Sequence, residues 1–168
     1  MALKDNIKSQ YYASMDMLGE AVARCPENLW LDDRYQNRFW HLAYHALFYT
    51  HLYLHPSGQE YKPWAEHREE SEFMGPLPWP PYRQPKPCEP YTQQEVLAFL
   101  EVCRQTVDQQ VSALDLEASS GFDWLPLDKT ELQFYNIRHL MLHTGELCER
   151  LGEAQDIHIG WVGQKAAS

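Results

Sequence analysis

Apolar residues recur at three- and four-residue steps over 4–24, where Ile7, Tyr11, Met15, Leu18 and Val22 share one face, and this spacing predicts an amphipathic helix. Pro26 follows, where a helix does not easily continue. A second helix is predicted over about 37–55, "NRFWHLAYHALFYTHLYLH", with Asn37 as its cap and Pro56 as its stop. Its apolar residues run almost all the way round, so it needs cover on more than one side. A third helix opens at Thr92 with Glu95 three residues on, a capping-box pattern, and continues through Val96, Phe99, Leu100, Cys103, Val107, Val111 and Leu114. A fourth is predicted over about 131–151, with Gly152 as its stop.

Between the second and third helices, residues 56–91 hold nine of the eleven prolines. Such a chain is extended and semi-rigid, and its two tryptophans and three tyrosines indicate that it packs rather than floats. A link of 36 residues can run the length of a bundle. Helices two and three can then lie parallel, and the expected fold is an all-α four-helix bundle, up-down-down-up, with one long Pro-rich crossover. At 168 residues the chain is expected to be a single domain, 1–168.

Charge narrows the functional classes. Twenty-four Asp and Glu against 14 Lys and Arg give a formal charge of -10, with no basic stripe to attract phosphates, so nucleic acid is not an expected partner. No run is long and apolar enough for a membrane span, and "MALKDNIKSQ" does not read as a signal peptide. Cys25, Cys88, Cys103 and Cys148 show no paired spacing and read as reduced thiols. A soluble, cytoplasmic protein is the expectation.

The candidate chemistry lies in the histidines. Three pairs sit four residues apart: His41/His45, His51/His55 and His139/His143. On a helix such a pair projects from one face, one turn apart, and two imidazoles can reach one cation. A catalytic site of the zinc type commonly takes three protein ligands and keeps a position open. His45 lies near the middle of its helix, as His139 and His143 do on theirs, so these three can meet at one height. By spacing alone His41, His51 and His55 are also candidates for the third ligand, and core histidines without metal are the plain alternative. His67 and His158 fall in irregular segments, where a structural or solvent-facing role is the default.

The motif H-L-M-L-H-T-G-E-L at 139–147 resembles the H-x-x-x-H-x-G-[E/Q] signature of the DinB-like (DinB/YfiT) superfamily, and "HLAYHALFYTHLYL" is similar to that family's earlier motif. Matching the downstream Leu52 and Tyr53 favours His45 over His41. The resemblance spans nearly the whole chain. It implies a four-helix bundle holding zinc, nickel or iron on His45, His139 and His143, a homodimer, and a thiol S-transferase using a low-molecular-weight thiol and an electrophilic substrate. A non-catalytic metal-binding or structural dimer, and a metal-dependent hydrolase, are the alternatives. Around the triad, Glu146 is a candidate partner of a ligand or an exposed helix-face residue, and Asn136 and Tyr44 are candidate orienting groups. Cys148 lies off the ligand face and reads as a buried structural thiol. Gly145 suits a close helix approach. Trp64, Trp79, Tyr82 and Trp161 either roof a pocket, cover the second helix or line a dimer interface.

Overall fold

The computed structural model describes residues 2–165. Five helices occur in the order α1 (Leu3–Arg24), α2 (Glu27–Trp30), α3 (Phe39–Leu54), α4 (Gln93–Ala113) and α5 (Lys129–Gln155), and no strand is present among the described residues. The four long helices coincide with the predicted ones. The extra helix, α2, is a single turn and too short to show a period. It buries Leu29 and Trp30, and the Trp30 indole donates to the Tyr91 carbonyl at 2.9 Å.

Several ends differ from expectation. Asn37 does not cap α3: Arg38 holds the cap position without a side-chain bond, and the Asn37 carbonyl instead accepts from Arg150 of α5 at 2.7 Å. Gly152 does not stop α5, which continues to Gln155 and ends where Asp156 turns left-handed at φ 54°. The capping box of α4 is present, with Thr92 Oγ1 accepting from Glu95 N at 3.2 Å and Glu95 accepting from Thr92 N at 2.7 Å. Asp128 caps α5 by accepting from Glu131 N at 2.7 Å, a start the apolar period alone did not mark.

Helix α3 packs between α4 and α5, and α1 packs against the same two helices from the other side. Lys8 of α1 donates to the Asp108 carbonyl of α4 at 3.1 Å, and Gln93 reaches back to the Val22 carbonyl at 2.8 Å. Tyr11 of α1 meets Gln133 of α5 at 2.8 Å, while Arg24 at the far end of α1 donates to the His158 carbonyl at 2.8 Å. Asn136 of α5 donates to the Thr50 carbonyl of α3 at 3.0 Å.

The remaining faces of α3 are covered by the irregular residues that follow it. Tyr91, fully buried, stacks on Tyr44 at 4.2 Å, and Tyr61 meets Phe48 edge-on at 5.7 Å. Aromatic stacks of this kind add to burial and hold rings in register, which is why an almost uniformly apolar helix is stable within one chain. Gly121 closes the other end of α3: its φ is +82°, and a Cβ there would lie 2.1 Å from the Pro56 carbonyl oxygen. Only glycine fits that approach.

Candidate metal centre

His45 comes from the middle of α3, and His139 and His143 from one face of α5. The contact between these helices brings the rings together: His45 Nε2 lies 3.2 Å from His139 Nε2, which lies 3.2 Å from His143 Nε2. One nitrogen from each of the three falls within 4.8 Å of the others, so the cluster could hold a metal ion. A tetrahedral ion with bonds of about 2.0–2.1 Å separates its nitrogens by roughly 3.3 Å, close to the two contacts observed.

The outer nitrogens settle which lone pairs face inward. His45 Nδ1 lies 2.6 Å from the Glu72 carbonyl oxygen, which can only accept, so this Nδ1 carries the proton. His143 Nδ1 lies 2.7 Å from a carboxylate oxygen of Glu146, with the same consequence. In the neutral rings, both Nε2 atoms then present lone pairs to the third imidazole. Such a carbonyl or carboxylate behind a histidine is the usual way a ligand ring is fixed in orientation and tautomer. His139 differs: its Nδ1 is buried and has no partner. Burial pushes His45 down to about 3, opposed by the Glu72 carbonyl and helped by the neighbouring histidines, and burial with the adjacent His143 pushes His139 down to about 4. Both are neutral at physiological pH, the state a ligand requires.

A cavity of about 800 Å³ opens onto the cluster, with His45 and His139 in its wall. Aromatic side chains dominate the rest of the wall, among them Phe48, Tyr49, Tyr61, Trp79, Trp124 and Tyr135. Tyr49 stands between wall and cluster, its ring 4.8 Å from His45 and 5.5 Å from His139. Glu72 and His67 also line the cavity, with Glu72 Oε2 3.8 Å from His67 Nε2. Burial raises the Glu72 carboxyl above its ordinary range and lowers the His67 imidazole below its own. Glu72 and Tyr49 were not foreseen. Glu72 belongs to a segment without a period, and Tyr49 is one ring among many on α3.

Other sequence candidates are placed elsewhere. His41 is not in the cluster; its ring stacks on Trp40 at 4.9 Å and its Nε2 is buried without a partner. His51 and His55 meet edge-on at 4.6 Å, with His55 Nδ1 bonded to the His51 carbonyl at 2.8 Å, away from the triad. Tyr44 orients none of the three histidines: its hydroxyl bonds His67 Nδ1 at 2.6 Å. Asn136 likewise ties α5 to α3 rather than to a histidine. Glu146 is the partner of a triad histidine although its side chain is half exposed. Cys148 is half-buried rather than buried, and burial raises its thiol. Gly145 accommodates no close approach, since a Cβ there would meet nothing within 4 Å. Trp79 is 50 % exposed and lines the cavity, Trp64 packs on the core, and Tyr82 and Trp161 are exposed. His158 is exposed beside Asp156. No described helix is long and apolar enough to cross a membrane.

Set against family models, curated proteins and solved structures, the chain matches none.

Proposed function

We propose that this chain is a DinB-like metal protein that holds one zinc, nickel or iron ion on His45, His139 and His143 and transfers a low-molecular-weight thiol to an electrophile. The convergence of three Nε2 atoms, two of them with tautomers set by outer acceptors, is the observation that carries this reading. A divalent ion bound there supplies Lewis acidity, which brings the ionisation of a thiol or of water toward neutral pH. The protein's own residues do the rest. Glu146 and the Glu72 carbonyl hold the rings in place, and the aromatic wall beside His45 and His139 takes up an apolar electrophile and keeps water from it.

In this reading the long helices run up-down-down-up, with 56–91 crossing from one end of α3 to the start of α4. The contacts of Lys8 with Asp108, Tyr11 with Gln133 and Asn136 with Thr50 support those directions. The four unpaired cysteines fit a reducing, cytoplasmic setting, and a homodimer follows from the same resemblance. A metal-dependent hydrolase is the second reading, favoured by the Glu72 carboxylate in the cavity wall, where a base would stand.

The test is metal content of untagged protein, followed by conjugation of small thiols to 1-chloro-2,4-dinitrobenzene by loaded protein and by the His139→Ala variant. One metal per chain and thiol-dependent conjugation lost in the variant support the proposal. Stoichiometric metal with no conjugation by any thiol leaves a metal-binding protein, and no metal after reconstitution overturns the reading altogether.

A further inference from the structure

We infer that the aromatic cavity beside the triad takes an organic cation, an amine or ammonium group carried on an apolar body the size of one or two rings, with Glu72 as the counter-charge. The inference deepens the metal reading and rests on it for which end of the ligand reacts. Binding of the cation itself follows from the wall.

Three features point to this chemistry. The first is the wall's composition. Phe48, Tyr49, Tyr61, Trp79, Trp124 and Tyr135 surround about 800 Å³, enough for a ligand of that size. Ring faces carry negative potential and attract cations, most strongly in a site shielded from water. The second is the sign of the charge. Among the described residues no lysine or arginine lines the cavity, and Glu72 is its one carboxylate. The nearest cation over a lining ring is Arg138, 5.7 Å from the Tyr135 centroid and outside the lining itself. A ligand with several carboxylates would find no protein cation here beyond the metal ion proposed on the triad.

The third feature is an unmet hydrogen-bonding group. Glu72 Oε2 is buried and has no partner. The closest candidate, His67 Nε2, is 3.8 Å away, too far for a hydrogen bond, and the other nitrogen of that ring is occupied by the Tyr44 hydroxyl at 2.6 Å. A buried carboxylate oxygen left unpaired costs free energy, and a cation held in the cavity against the Glu72 side chain would offset its charge without touching that oxygen. The backbone carbonyl of the same residue holds His45 from behind, so a cation seated at Glu72 is fixed in position relative to the triad.

The test uses two probes of the same shape, 3-hydroxyphenyltrimethylammonium and 3-tert-butylphenol, which differ in charge. Binding is followed by quenching of the intrinsic tryptophan fluorescence, to which Trp79 and Trp124 of the wall contribute, with metal-loaded and chelator-stripped protein, for the parent chain and Glu72→Gln. The cation should bind about tenfold more tightly than its neutral twin, as expected for a cation held among rings beside a carboxylate. Glu72→Gln should lose most of that preference while its circular dichroism stays unchanged. Equal binding, preference for the neutral probe, binding of neither, or a preference untouched in Glu72→Gln would overturn the inference. A preference present in a protein that binds no metal would sustain it while sinking the proposed function, and stoichiometric metal without the preference would do the reverse.

Discussion

Two histidine pairs in this molecule share one spacing and have opposite fates. His139 and His143 on α5 turn their Nε2 atoms toward each other and toward His45 of α3. His51 and His55, near the end of α3, meet edge-on among Tyr61 and Phe99, and His55 spends its Nδ1 on the preceding turn's carbonyl. Spacing of four residues brings two rings to one face and does no more. A donor set forms where a neighbouring helix supplies a third ring and where acceptors behind the rings turn the lone pairs inward. His143 has Glu146 behind it and His45 has the Glu72 carbonyl, whereas His51 has only the Tyr61 hydroxyl at 3.5 Å.

Breaking the pairs separately should expose the difference most strongly. His143→Ala should weaken zinc binding by more than about a hundredfold, beyond what loss of an outer partner costs, while His55→Ala should leave it unchanged. A zinc titration against a competing chelator reads both. Equal effects of the two substitutions would erase the distinction. Next in size is the outer partner. Glu146→Gln keeps the side-chain shape but removes the carboxylate behind His143, and should cost about ten- to a hundredfold in metal affinity in the same titration.

The His51/His55 pair should reveal itself through pH instead. Burial, with His55 nearby, pushes His51 down to about 4, against roughly 6.5 in an unfolded chain. Between these values the unfolded chain binds more protons than the folded one, so stability falls as pH drops from about 6.5 toward 4. His51→Gln removes that titration. Urea unfolding at pH 7 and pH 5 should therefore show the parent losing about 2 kcal/mol more than the variant, the other histidines cancelling in the difference. Matching losses would mean that His51 is not held neutral by the fold.

The smallest effect concerns the glycine inside the triad motif. Gly145 lies on α5 with open space where a Cβ would go, so Gly145→Ala should raise stability by about 1 kcal/mol through helix propensity and leave metal binding intact. A stability loss in thermal unfolding would point instead to a contact made by a partner chain.

The long helices were legible because each carries an unbroken period over many turns, and the three histidines were legible because mid-helix positions on adjacent helices meet at one height. Their surroundings were not. Glu72 acts through its carbonyl, which any residue would offer, and from a stretch with no period to place it. Tyr44 and Asn136 lay on suitable helices, but rotation about the axis turns Tyr44 toward His67 and Asn136 toward Thr50. The helix ends misled in the same way. Asn37 and Gly152 have the right chemistry for caps, yet Arg150 takes the Asn37 carbonyl and α5 runs three residues past Gly152 before Asp156 ends it. The cover of α3 was predicted as a need, and residues that supply it, such as Tyr91 and Tyr61, became identifiable only once folded.

X-ray absorption at the metal edge of stoichiometrically loaded protein tests the central claim most directly. The account predicts imidazole scattering that fits three histidines at about 2.0–2.2 Å, with at least one further light-atom ligand, falling to at most two imidazoles in His139→Ala. A shell without imidazole, or one dominated by cysteine sulfur, or one identical in His139→Ala, would contradict it.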